Sequence, residues 1–408
     1  MLSELEVPKV KRSDIVYRHM RDPGLLRYYY KMKTVSAIDK LNLEGSSPTD
    51  IFIGRFGYPY VQIGPLVPPE FGDTSLLSTP EQWHSLTMED IVNFRSKLVR
   101  GMSLSKITDV EKGRLQEQVR DLALAERPAD AELEFAKKPF IKMEFRDEVQ
   151  PYGPSAQLKE FSLSNIKADK KIESRYTDTQ AKAVTSLIEL YQRGVNVSKL
   201  QKALSAGLFG VKNNRRFVPT RWSITAVDDT ISKRMREDIK EYDPVDAIYA
   251  YYHVALDNRW LIFLMPGNWQ YESIEAFYPG TVWNEDGKHV SIFGSYEGYH
   301  GRKTYAEMGG CYYSGRLAIT EKLKQVKRQA VALILREVHE GYTMPVGVWN
   351  VREHVRETLS KEPLILSSVP DMLNYIESKM QLRRNTWIDN SRILKDMFTQ
   401  KKLNEYLS

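Results

Sequence analysis

Ala247-Ile-Tyr-Ala-Tyr-Tyr-His-Val-Ala-Leu-Asp-Asn-Arg-Trp-Leu-Ile-Phe-Leu-Met265 is the stretch on which the fold class turns. Two runs rich in aromatic and aliphatic residues flank Asp257-Asn258, a pair that favours turns, so the spacing predicts an antiparallel hairpin. A hairpin joins neighbouring strands directly and needs no crossover helix. His253 lies inside the first run and reads as a core histidine. Further short strands are expected at residues 51–54 and 60–63, around a Gly-Arg-Phe-Gly turn, and at 140–145, 290–293 and 330–338. Helical periodicity covers residues 80–101 and 110–136, the latter interrupted at Pro128. It returns after Asp178, closing at Gly194, after Ser198, ending at Gly207, around Leu317, from Asn350 and Glu353, and from Pro370. Strands and helices do not alternate strictly. The expected class is therefore α+β, with mixed or antiparallel sheet regions, packed helices and a flexible C-terminal tail.

The chain has 408 residues, 42% of them hydrophobic, enough for a large core and two or three substructures. Its net charge of +6 fits contact with nucleic acid. The single cysteine, Cys311, excludes an intramolecular disulfide and a multi-cysteine zinc site, so no structural zinc is expected and a reducing cytosol is the expected setting. No run of about 18 apolar residues occurs, and the first residues lack the layout of a signal peptide. A soluble intracellular protein without a membrane partner follows as the expectation.

Phe217-Val-Pro-Thr-Arg-Trp-Ser-Ile-Thr-Ala-Val-Asp-Asp-Thr-Ile231 carries the densest chemistry. Residues 222–227 read as a β-rich run leading into an acidic pair that opens a helix, with Ile231, Met235 and Ile239 inward. One of Asp228 and Asp229 would cap that helix, and the other, near Arg221, is a candidate for metal binding or acid–base work. Glu275 and the loop Ser295-Tyr-Glu-Gly-Tyr-His-Gly-Arg302 add Glu297 and Arg302. The catalytic candidates are thus Asp228, Asp229, Arg221, Glu275, Glu297 and Arg302. Carboxylates among arginines suit metal-assisted phosphodiester hydrolysis, for which magnesium or manganese would be the cofactor. Their spacing matches no known nuclease signature. Glu144, Asp147 and Glu148 form a second acidic cluster.

Phosphate contact has its own candidates. Arg55 sits in the glycine-rich turn near Gly54, Gly57 and Gly64, as a phosphate contact or as the structural arginine of a tight hairpin. The turn is neither a Walker A loop nor a dinucleotide fingerprint. Lys212, Arg215 and Arg216 lie in a basic loop that contacts phosphate or is merely solvated, and Arg383 and Arg384 precede the C-terminus. Residues 159–171 are lysine-rich and read as surface.

The C-terminal stretch Gln400-Lys-Lys-Leu-Asn-Glu-Tyr-Leu-Ser408 resembles the PCNA-interacting peptide. One helical turn would place Leu403, Tyr406 and Leu407 as an apolar plug beside Gln400. The last position holds leucine instead of a second aromatic, which weakens the plug. The alternative is a terminal turn docked on the protein's own core.

Ile53-Gly-Arg-Phe-Gly-Tyr-Pro59, Gly64-Pro-Leu66, Val218-Pro-Thr-Arg-Trp-Ser-Ile-Thr-Ala-Val-Asp-Asp-Thr-Ile-Ser232, Tyr278-Pro-Gly-Thr-Val-Trp283 and Pro345-Val-Gly-Val-Trp349 together resemble the archaeal Nre DNA-repair family. The resemblance implies an N-terminal family region over residues 1–285, a C-terminal region over 286–397, and a clamp-binding tail over 398–408. Some relatives carry an N-terminal cysteine zinc finger, which this chain lacks. It further implies a cytoplasmic, nucleoid-associated factor in repair of alkylated or cross-linked DNA, partnered by the PCNA sliding clamp, DNA and other repair proteins. Three mechanisms fit: a metal-assisted nuclease, a non-catalytic adaptor on the clamp, and a small-molecule or nucleotide-binding enzyme.

Overall fold

Alternating burial along short strands builds the first sheet. The computed structural model describes residues 40–140, 152–281, 283–284, 287–342 and 345–399. β1 (Asn42–Ser47), β2 (Asp50–Ile53) and β3 (Tyr60–Val67) come first. α1 (Met88–Ser96), β4 (Val99–Lys106), α2 (Arg114–Leu124), β5 (Ala129–Phe135) and β6 (Ser155–Leu163) follow. In β5, Ala129, Ala131, Leu133 and Phe135 are buried while Asp130 and Glu132 are exposed, the period of two that sheet geometry dictates. The order is β1-β5-β6-β4-β3-β2, antiparallel except for β4 against β6.

Six helices then fill the space between this sheet and the next. They are α2, α3 (Lys170–Tyr176), α4 (Ala183–Gln192), α5 (Val197–Ser205), α6 (Thr220–Ile239) and α7 (Gly310–Val326), joined by α8 (Trp349–Ser360) on the far side. α6 spans about 30 Å at 1.5 Å per residue. Ser223, Val227, Ile231, Met235 and Ile239 are buried at four-residue intervals along it. That stripe, packed against α5 and α7, overrides the β-propensity of residues 222–227, which form helix instead of the expected strand. Asp228 and Asp229 consequently lie mid-helix, and neither caps it.

The predicted hairpin forms as β7 (Ile248–Ala255) and β8 (Asn258–Met265), turning at Leu256 and Asp257. β9 (Gln270–Phe277), β10 (Ser291–Glu297), β11 (Val331–Val338) and β12 (Leu364–Leu366) complete a sheet of order β10-β9-β11-β8-β7-β12. β11 enters between β8 and β9, antiparallel to one and parallel to the other. β8, β9 and β11 are almost wholly buried because both faces are covered. Trp260, Ile262 and Leu264 face the helical layer; Leu261, Phe263 and Met265 face α9 (Val369–Lys379), α10 (Arg384–Asn390) and α11 (Arg392–Thr399). Strands from both sides of residue 285 thus share this sheet.

Among the described residues the class is α+β, with eleven helices and two mixed six-stranded sheets. Other expectations shift in detail. Residues 80–101 split into short turns, α1 and the start of β4, and Pro128 marks a helix-to-strand change. Asp178 accepts from the Gln180 and Ala181 amides in a turn, and α4 starts later, at Ala183. Ser198 and Asn350 lie inside their helices. No helix among the described residues is long and apolar enough to cross a membrane.

Gly64 shows why the first sheet accepts no side chain there. A Cβ on Gly64 would lie 2.0 Å from the carbonyl oxygen of Gly101 on β4. Backbone would have to move, so Gly64→Ala should cost about 2 kcal/mol or more. Chemical denaturation, read as a lower midpoint with unchanged slope, checks this.

Candidate nucleic-acid interface

The catalytic candidates among the acids come from α6, β9 and β10, and each meets an arginine. Asp228 on α6 is fully buried, with Arg352 Nη1 3.1 Å from both oxygens and Gln201 Nε2 3.1 Å from one. Burial pushes its carboxyl up to about 6, and the Arg352 guanidinium works against that rise. One residue on, Asp229 turns the other way to Arg316 and to Lys233 at 2.6 Å. Arg316 also donates to Glu297 at 2.7 Å, and Glu297 accepts from Arg236 at 3.3 Å and from the Trp269 indole at 3.1 Å. Glu275 on β9 pairs with Arg336 at 2.6 Å, whose Nε donates to Asn258. Arg302 holds Glu307 at 2.8 Å and the Tyr296 carbonyl in a surface loop. Arg221 sits half-buried in the first turn of α6.

The structure therefore brings Asp229 and Glu297 together through one shared arginine and disperses the rest. A divalent cation needs carboxylate oxygens converging on a common point. Here guanidinium groups fill the space between them, and these residues do not fit such a metal. Among the described residues no three His, Cys, Asp or Glu side chains gather as a metal site. Glu144, Asp147 and Glu148 lie outside the described residues, as do Gln400, Leu403, Tyr406 and Leu407. His253 is half-buried, with Nε2 3.1 Å from Glu357, and burial holds its imidazole below the ordinary value.

The predicted basic residues separate in the same way. Arg215 is buried, donating to the carbonyls of Gly210 and Asp178 and lying 5.0 Å from the Tyr176 ring. Lys212, Arg216 and Arg383 are exposed, and Arg384 faces Glu377 at 3.6 Å. Arg55 belongs to a more suggestive setting. The β2–β3 hairpin and the start of α6 present Phe56, Tyr58, Tyr60 and Trp222 at 65%, 48%, 52% and 45% exposure. Tyr58 and Trp222 stand 5.3 Å apart, and Arg55 lies 5.0 Å from the Phe56 ring. Tyr60 is directly opposite Lys106 in the β3–β4 register, and both are exposed. The Phe217 amide donates to the Ile107 carbonyl, which draws Arg216 to the same edge. Large apolar rings left in solvent, rimmed by cations, mark a surface with work to do.

At the opposite end of α5 lies a cleft of about 460 Å³. Arg127, Lys167, Lys170 and Lys171 surround its mouth, and Lys199 and Lys202, half-buried on α5, form its floor. Lys199 donates to the Ala125 carbonyl at 2.5 Å; Lys202 donates to Ser78 Oγ at 2.7 Å and lies 4.0 Å from Asp50. Asp50 is already paired with Arg95 at 2.8 Å. Burial first, then the neighbouring Lys202, holds the Lys199 ammonium down at about 7. The sequence reading missed this floor. No sequence signal marks it, because two lysines three apart on a helix are ordinarily solvated and only the packing of the other α5 residues recesses them.

These features define an α+β protein with two basic surfaces, one aromatic and one recessed. The chain belongs to the archaeal Nre family. The model described as "Archaeal Nre, N-terminal" matches residues 21–284, and "Archaeal Nre, C-terminal" matches 297–406. It is 41% identical to DNA repair protein NreB of Archaeoglobus fulgidus over 86% of this chain and 88% of that one. It is 35% identical to DNA repair protein NreA of Haloferax volcanii, over 79% of each chain. NreA of Archaeoglobus fulgidus is 33% identical over 88% of this chain and 90% of its own. No solved structure matches.

Two measurements check the electrostatics. Arg316→Met leaves Asp229 to Lys233 alone and the buried Glu297 to Arg236 and Trp269, and should cost about 3 kcal/mol, read as a fall in Tm. Lys199 behaves oppositely. Its folded value lies below the ordinary 10.5, so between about pH 7 and 10.5 the unfolded chain binds more protons and stability rises with pH. Lys199→Met should therefore raise Tm near pH 7, with the gain over the wild type shrinking toward pH 10.

Proposed function

We propose that this chain is a DNA-repair factor that holds single-stranded DNA on the aromatic face and acts as a clamp-bound adaptor. The observation that carries the reading is the row of exposed rings, Phe56, Tyr58, Tyr60 and Trp222, rimmed by Arg55, Lys106 and Arg216. Bases stack on such rings without regard to sequence, and the cations meet the phosphates. The relatives' names as DNA repair proteins support the setting. The tail, by its likeness to the PCNA-interacting peptide at Gln400, Leu403, Tyr406 and Leu407, would tether the chain to the sliding clamp.

The adaptor reading stands ahead of the nuclease because Asp228, Asp229, Glu275 and Glu297 are each engaged by arginine. Cleavage of damaged or branched DNA with magnesium or manganese, lost in a folded Asp229→Asn variant, would reverse that order.

Fluorescence anisotropy with a short single strand tests the DNA contact. Tyr58→Ala and Trp222→Ala should each weaken binding roughly five- to a hundredfold, and affinity should fall steeply with salt. Unchanged affinity in both variants removes the aromatic face from the interface. Deleting residues 400–408 should abolish retention on immobilised PCNA and leave DNA binding intact; retention of the truncated chain refutes the tether.

A further inference from the structure

The recessed lysine cleft lies away from the aromatic face, and its cations outnumber the carboxylates around them. Glu126 is taken up by Lys167 at 2.5 Å, and Asp169 caps α3 through the amides of Lys171 and Ile172. Beneath them, Asp50 is shared between Arg95 and Lys202, with Glu81 farther off, and Lys199 bonds only the Ala125 carbonyl, with Asp169 and Asp50 acting on it at longer range. Cations placed half out of water without a counter-charge are costly, and an arriving anion removes the cost. The amide of Ser198 at the start of α5 already donates to Glu81, so the lysines, and not the helix end, are what an anion would meet.

We infer that this cleft binds a phosphate monoester, either the terminal phosphate of a DNA strand or that of a free nucleotide. Its volume of about 460 Å³ holds one nucleotide and excludes a duplex. A monoester carries between one and two negative charges near neutrality, matching the paired ammonium groups of Lys199 and Lys202 better than a diester does. Thr49 on the wall supplies a hydroxyl donor for a remaining oxygen, whereas the hydroxyls of Ser75 and Thr79 already donate to Asp73 and to the Ser75 carbonyl. Arg127 and Lys170 at the rim draw the anion in. The strand-end form of the inference rests on the proposed DNA contact; the free-nucleotide form does not.

The test uses the full chain and four probes: one oligonucleotide with a 5′-phosphate, the same with a 3′-phosphate, the same with hydroxyl ends, and thymidine monophosphate. At least one phosphorylated oligonucleotide should bind roughly tenfold tighter than the hydroxyl-ended one, a gain typical of charge-assisted hydrogen bonds. Lys199→Met/Lys202→Met should erase that advantage and keep the affinity for hydroxyl ends. Should that variant unfold, Arg127→Gln/Lys170→Gln at the exposed rim should reduce the same advantage. Binding of the mononucleotide with no advantage for either strand end assigns the cleft to free nucleotides. Equal affinity for all three oligonucleotides together with no binding of thymidine monophosphate overturns the inference. Because hydroxyl-ended affinity reports the aromatic face alone, failure there is a separate result.

Discussion

Arg316 is the side chain on which the molecule's interior depends. It leaves α7, reaches Asp229 on α6 and Glu297 at the end of β10, and touches Ser232 on the way. One guanidinium, itself buried, thereby joins two helices to the rim of a sheet. Arg352 repeats the device from α8 to Asp228, and Arg336 repeats it from β11 to Glu275. Replacing such pairs by apolar side chains is often neutral for stability; removing one partner is not. What the pairs supply is register. The acids on neighbouring residues of α6 point to different arginines, which fixes the rotation of that helix between α5, α7 and α8.

Much of this was legible in the sequence, and the misses have physical causes. The hairpin at β7–β8 followed from two apolar runs about a turn pair, because its contacts are local. At Gly64 the bare glycine is the sequence's trace of the close approach made by the Gly101 carbonyl. The run Trp222–Val227 misled because β-branched residues favour strands only on average; the four-residue stripe that continues to Ile239 was the stronger signal. The acids looked catalytic because the sequence does not reveal that Arg316, Arg336 and Arg352 would arrive from 19 to 124 positions away. Lys199 and Lys202 were invisible for the converse reason. A lysine on a helix is ordinarily solvated, and only tertiary packing made these two a floor.

The two basic surfaces share a structural axis. α5 and β2 pack together, and each runs from the cleft, at Thr49 and Lys199, toward the aromatic hairpin that begins beyond Ile53. Nine helical residues and four extended ones both span about 13 Å, so a rigid rib of fixed length separates the rings from the lysines. The Ile53 amide bonded to Thr220 Oγ1 locks the far end of that rib to α6.

The insertion of β11 between β8 and β9 has a bearing on how the chain matures. During synthesis the β7–β8 hairpin emerges some seventy residues before its central neighbour, with hydrogen-bonding groups along β8 and β9 awaiting the same missing strand. Such open edges are sticky, and distant pairings form slowly. Closure of the second sheet is therefore a late event, set by the arrival of residues 331–338 from the ribosome. Until then β8 and β9 each keep an edge without its partner, and a chain ending short of residue 331 could not close the sheet.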